Sequence, residues 1–144
     1  MSGTDPVIAA QWAEAKRWFA KADEDRRSAE LMLTADPPLL DPAAYHCQQA
    51  SEKLIKGLLV AAGQTIPKTH DLWRLAAQAM PLYPQLAAAI EAVSDLTPWG
   101  TATRYPDLEP DLGIMPQDIR EALERLERFY EGVLRTIPFS PIGG

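Results

Sequence analysis

Thiols are nearly absent from this chain: Cys47 is its one cysteine in 144 residues. No intramolecular disulfide can form and no paired-thiol metal motif exists. A lone cysteine on an apolar helix face is expected to serve as a small buried hydrophobe. No apolar run approaches the roughly 18 residues a membrane-spanning helix needs. The opening residues, MSGTDPVIAAQWAEAKRW, have no basic start leading into an apolar segment, so neither a membrane span nor a signal peptide is expected, and a soluble cytoplasmic location follows. Basic side chains are also in deficit, 14 against 20 acidic ones for a net charge of −6, which argues against a duplex-DNA binder. Missing too are a glycine-rich phosphate loop, HExxH, GxSxG and any acidic cluster with metal-like spacing. On these absences no metal, no cofactor and no catalytic residue is assigned.

What the chain has is helical periodicity and enough apolar material, 47% of residues, for a real core. Its length suits a single domain over residues 1–144, with a core over about 5–137 and a loose tail over 138–144. Ile8, Trp12, Ala15, Phe19, Ala22, Ala29 and Leu33 recur at steps of three and four, interrupted at Arg26, and Thr4 or Asp5 can cap that helix ahead of Pro6. ADPPLLDP, residues 35–42, breaks it. Asp41 is expected to cap a second helix that runs to about Ala62 and stops at Gly63, with Cys47, Ala50, Leu54, Leu58 and Ala61 as its stripe. A short third helix follows Pro67, a fourth runs from near Pro84 to Ser94–Leu96, and Thr97–Met115 is a long connection. The last helix opens at Pro116 and closes at Pro138, and its spacing predicts that Leu123, Leu126, Tyr130 and Leu134 point inward. No segment alternates with period two. The fold class expected is all-α, an up-and-down bundle of four to five helices.

Chemistry concentrates in one stretch. Ala44–Leu75 holds both histidines and three of the five lysines, and residues 41–80 carry a local net charge of +1. On the second helix Gln48 with Glu52, Gln49 with Lys53 and Glu52 with Lys56 are all i,i+4 pairs. A solvated helix face explains them, and so does a groove in which amide, carboxylate and ammonium groups converge on a ligand. In PKTHDL, Thr69 is the expected N-cap and Asp71 suits the first turn, whereas Lys68 and His70 beside a helix N-terminus could receive an anion. In the long connection, Arg104, Tyr105 and Asp107 surround Pro106; Arg104 could fork onto a phosphate or simply make a surface ion pair. Arg26 interrupts an apolar stripe and needs a partner, for which Glu52 is a candidate. Four tryptophans, Trp12, Trp18, Trp73 and Trp99, exceed what one small core needs, so that some could face a partner chain.

The series Gln48–Leu58 (Q-x-x-x-E-K-x-x-K-x-L), Pro67-Lys68-Thr69-His70-Asp71-Leu72 and Arg104-Tyr105-Pro106-Asp107 resembles the HEPN domain family, the nucleotide-binding domain of higher eukaryotes and prokaryotes. Lys21–Leu33 is similar to that family's first-helix signature, with Arg26 where an apolar residue is usual. The resemblance covers roughly residues 15–135. It implies a helical bundle, commonly a homodimer, that binds a nucleotide or RNA. In prokaryotes it implies a neighbouring minimal nucleotidyltransferase in a two-component or toxin–antitoxin pair. Many relatives are metal-independent endoribonucleases with R-x(4-6)-H; neither His46 nor His70 has an arginine at that distance, since residues 39–41 and 63–65 contain none. The resemblance therefore favours a nucleotide- or partner-binding module over a divergent endoribonuclease toxin or a purely structural dimerisation module, and leaves Gln48, Gln49, Glu52, Lys53, Lys56, Lys68, Thr69, His70, Arg104, Tyr105 and Asp107 as candidate ligand-binding residues.

Overall fold

The computed structural model describes residues 5–100 and 113–138. Five α-helices follow one another: α1 Pro6–Thr34, α2 Leu40–Ala61, α3 Leu72–Ala79, α4 Ala87–Ser94 and α5 Pro116–Thr136, with 3-10 turns at Met80–Leu82, Pro84–Leu86 and Thr97–Gly100. Among the described residues there is no strand, so the bundle is all-α. None of its helices is long and apolar enough to cross a membrane.

Local chemistry sets the boundaries. Asp5 caps α1, its side chain accepting from Val7 N at 2.7 Å, and Pro6 occupies the first turn. The second helix starts two residues earlier than expected: Leu39 is the N-cap, and Asp41 lies inside the first turn instead of capping. It ends in a Schellman turn, with Gly63 at φ +71°, Gly63 N donating to Val60 O and Gln64 N to Leu59 O, both at 2.9 Å. Asp71, not Thr69, caps α3 by accepting from Trp73 N and Arg74 N.

The largest helix pairing is α1 on α2. It is antiparallel, because Asp25 meets His46 and Lys53 while Phe19 and Trp18 meet the position of Gly57. Gly57 permits the close approach: a Cβ there would lie 2.5 Å from Phe19 Cε1. The α2 helix is wrapped by α1, α3, α4, α5 and the Thr97–Gly100 turn, and its stripe of Cys47, Ala50, Leu54, Leu58 and Ala61 is buried along with Ile55 and Leu59. From α5 come Ile119, Ala122, Leu126, Phe129 and Val133. Leu126 faces inward as predicted and Leu123 and Tyr130 are partly buried, but Leu134 is 46% exposed, because the inward arc of α5 centres on Phe129 and leaves Leu134 past its edge. Trp12, Trp18 and Trp99 pack against the core; Trp73 is 52% exposed.

Candidate functional site

The polar residues of α2 form one continuous arc. At about 100° per residue, Gln48, Glu52, Tyr45, Lys56, Gln49, Lys53 and His46 follow each other around the helix. A solvated face would explain that arc if it were wet. Much of it is not: Gln48 is 0%, Glu52 4% and Lys56 8% exposed, while Tyr45, His46, Gln49 and Lys53 are half-buried. Because α2 is enclosed by its neighbours, its polar groups must find partners inside the protein. They do, and no buried side-chain nitrogen or oxygen among the described residues is left without one.

Two clusters divide the arc. In the first, Glu52 is the hub. Lys56 Nζ donates to its Oε2 at 2.9 Å and Gln48 Nε2 to its Oε1 at 3.2 Å. His70 Nδ1 lies 3.0 and 3.1 Å from the two carboxylate oxygens. A carboxylate only accepts, so Nδ1 carries the hydrogen and Nε2 is the acceptor nitrogen of the neutral ring. Gln48 Nε2 also donates to the His70 carbonyl at 3.2 Å, and Gln48 Oε1 accepts from Gln49 Nε2 at 2.8 Å. The chain doubles back after Gly63 to bring His70 alongside Glu52, roughly 16 Å down α2 at 1.5 Å per residue. Gly100 completes the enclosure, since a Cβ there would lie 2.9 Å from Gln48 Cδ. The hub is buried, at 6% side-chain exposure, while the imidazole it holds is 81% exposed.

The second cluster centres on Asp25 of α1. Its Oδ1 accepts from His46 Nδ1 at 2.8 Å and its Oδ2 from Lys53 Nζ at 2.6 Å. Asp25 is 8% exposed. Lys53 thus departs from Gln49 and Glu52, with which its position on α2 grouped it, because the residue after Glu52 turns about 100° toward α1. The expected Arg26–Glu52 pair does not form. Arg26 sits half-buried on the flank of α1 that meets α5, bonded to Asp23 at 2.8 Å and Glu30 at 2.7 Å, with its guanidinium 6.0 Å from the Tyr130 ring centroid. Partial burial opposes its charge, but Asp23 and Glu30 outweigh that and raise its pKa further.

Of the remaining candidates, Thr69 Oγ1 accepts from Asp71 N at 3.1 Å and shapes the approach to α3. Lys68 is exposed and makes no ion pair among the described residues. Arg104, Tyr105 and Asp107 lie outside the described residues. The sequence reading missed Asp25 and its pairing with His46. The signal was faint: from Ala22 to Ala29 the stripe can step through residue 25 or residue 26, and it steps through Asp25.

Comparison with known proteins agrees with this architecture. The crystal structure of the protein TT1696 from Thermus thermophilus superposes with a TM-score of 0.71 at 26% identity, covering 84% of this chain and 96% of that one. No curated protein matches. The family model described as HEPN domain matches residues 15–136, which takes in α2, the Glu52 and Asp25 clusters and all of α5. The chain therefore belongs to the HEPN domain family.

Proposed function

We propose that this chain is a single-domain, homodimeric HEPN module that binds a nucleotide, an RNA or a protein partner at the Glu52 cluster, and that it works with a minimal nucleotidyltransferase in a two-component or toxin–antitoxin-like pair. The observation that carries the reading is the contrast within one hydrogen-bonded group. Glu52 is buried and fixed by Gln48 and Lys56, yet the imidazole it orients is 81% exposed. Such a support holds one solvent-facing side chain in a set geometry, beside the exposed ammonium of Lys68. A phosphate there gains from the Lys68 ammonium, and a hydroxyl or amino group of the same ligand can donate to the His70 Nε2 acceptor.

A second reading follows from the same imidazole. With Nδ1 fixed on a carboxylate and Nε2 the free acceptor, His70 has the orientation of a general acid–base, as a metal-independent ribonuclease needs. Binding is favoured over it because Lys56 already balances the Glu52 charge and the R-x(4-6)-H pattern is absent.

The test is a thermal-shift screen of the full chain against nucleoside mono- and triphosphates, since a ligand that binds only the folded state stabilises it by about 2.7 kcal/mol at a hundredfold excess over Kd. Lys68→Ala and His70→Ala should abolish the shift and leave the unliganded Tm in place. Binding unchanged in both variants would remove the cluster from consideration. RNA cleavage in chelator, lost in His70→Ala, would select the ribonuclease.

A further inference from the structure

A groove of about 280 Å³ lies on the opposite flank of the arc, lined by Glu14, Arg17, Trp18 and Lys21 of α1 and by Lys53 of α2. The four α1 residues fall at i, i+3, i+4 and i+7, one face of the helix. Its walls are set by the packing beneath. Trp18 Cβ would be 3.0 Å from a Cβ at position 57, so Gly57 seats the tryptophan against α2. Lys53 is held in place by the buried Asp25 carboxylate at 2.6 Å. The floor is apolar and the rim carries three cations against one carboxylate.

The charges on that rim are not equally available. Lys53 is bonded to Asp25, and Lys21 lies 3.3 Å from Glu24. Arg17 makes no ion pair among the described residues. One uncommitted guanidinium suits one carboxylate, which it can grip with two parallel N–H donors. A phosphate backbone, with a charge at every nucleotide, would need several.

From this charge pattern we propose that the groove is a docking site for an acidic peptide segment of another protein. One large apolar side chain of the segment packs against Trp18, and a neighbouring Asp or Glu is held by Arg17. This site is separate from the Glu52 cluster, and neither depends on the other's being correct.

The experiment pans a random-peptide display library on the full chain, with Arg17→Glu as the control surface. The wild type should enrich peptides that pair an acidic residue with Leu, Phe or Trp. Synthetic copies should bind Arg17→Glu at least about tenfold more weakly, equivalent to about 1.4 kcal/mol. Changing the peptide's acid to Lys should restore binding to Arg17→Glu, a reversal that loss of fold cannot imitate. Trp18→Leu should weaken binding, and Lys68→Ala should leave it alone. No enrichment over the control, or enrichment of peptides without an acid, overturns the proposal. So does a single-stranded oligonucleotide that binds the wild type and is lost in Arg17→Glu, which would make the groove a nucleic-acid surface.

Discussion

Replacing Glu52 by Ala would strip the hub from the first cluster while leaving its spokes in place. Lys56, 8% exposed, would keep an ammonium with no counter-charge, and Gln48, 0% exposed, would lose one acceptor. Both members of the Glu52–Lys56 pair are buried, at 6% and 11% side-chain exposure, so solvent screening does not rescue the survivor. Breaking a buried pair from one side costs about 3–5 kcal/mol. With an unfolding entropy of about 2.1 cal/mol/K per residue, a chain of 144 residues loses about 10–16 °C in Tm. Urea and thermal unfolding followed by far-UV circular dichroism would measure it. The double variant Glu52→Ala/Lys56→Met should recover much of the loss, because an apolar chain of similar length has no charge to strand. A single-variant loss below about 1 kcal/mol, the range of a solvated ion pair, would refute the reasoning. A double variant no more stable than the single one would refute it equally.

Gly57→Ala should destabilise by about 1–3 kcal/mol in urea unfolding, since its methyl would meet the Phe19 ring at 2.5 Å and force α1 off α2. Leu126→Ala, at a fully buried site, should cost about 2–5 kcal/mol. Leu134→Ala should stay within about 0.5 kcal/mol, and equal losses would mean that the α5 arc is misplaced. Burial pushes the Cys47 thiol up to about 12 from an ordinary 9.0. Its folded-state value is the higher one, so its contribution is complete below pH 9 and is lost as pH rises toward 12. Native protein at neutral pH should therefore resist alkylation that the urea-unfolded chain accepts at once.

Helix count and type were legible from period and punctuation, because proline and glycine act locally: Pro6, Gly63 and Pro116 each do at their helix end what their backbone chemistry dictates. The buried state of Gln48, Glu52 and Lys56 was not. Spacing shows which residues share a face, and only tertiary packing shows whether that face is wet. The same limit explains Arg26. Steps of three and four fit positions 25 and 26 equally, and the choice rests on His46 and Lys53, some twenty or more residues away in sequence. Thr69 and Asp71 are both competent caps two residues apart, and with Asp71 as the cap His70 lies just ahead of α3, against Glu52. The Asp25–His46 pair joins two helices through residues with no common motif.

Because α2 is enclosed by four helices and a turn, its backbone amides have no local route to solvent. Fraying, loop motion or the detachment of α3 alone uncovers part of one side. Deuterium should therefore enter most of α2 only when the bundle opens as a whole, and its slowest amides would report the global unfolding free energy directly. The polar arc runs along this most protected element, so the Glu52 carboxylate that holds His70 sits on the last part of the molecule to loosen, while the imidazole it supports remains at its surface.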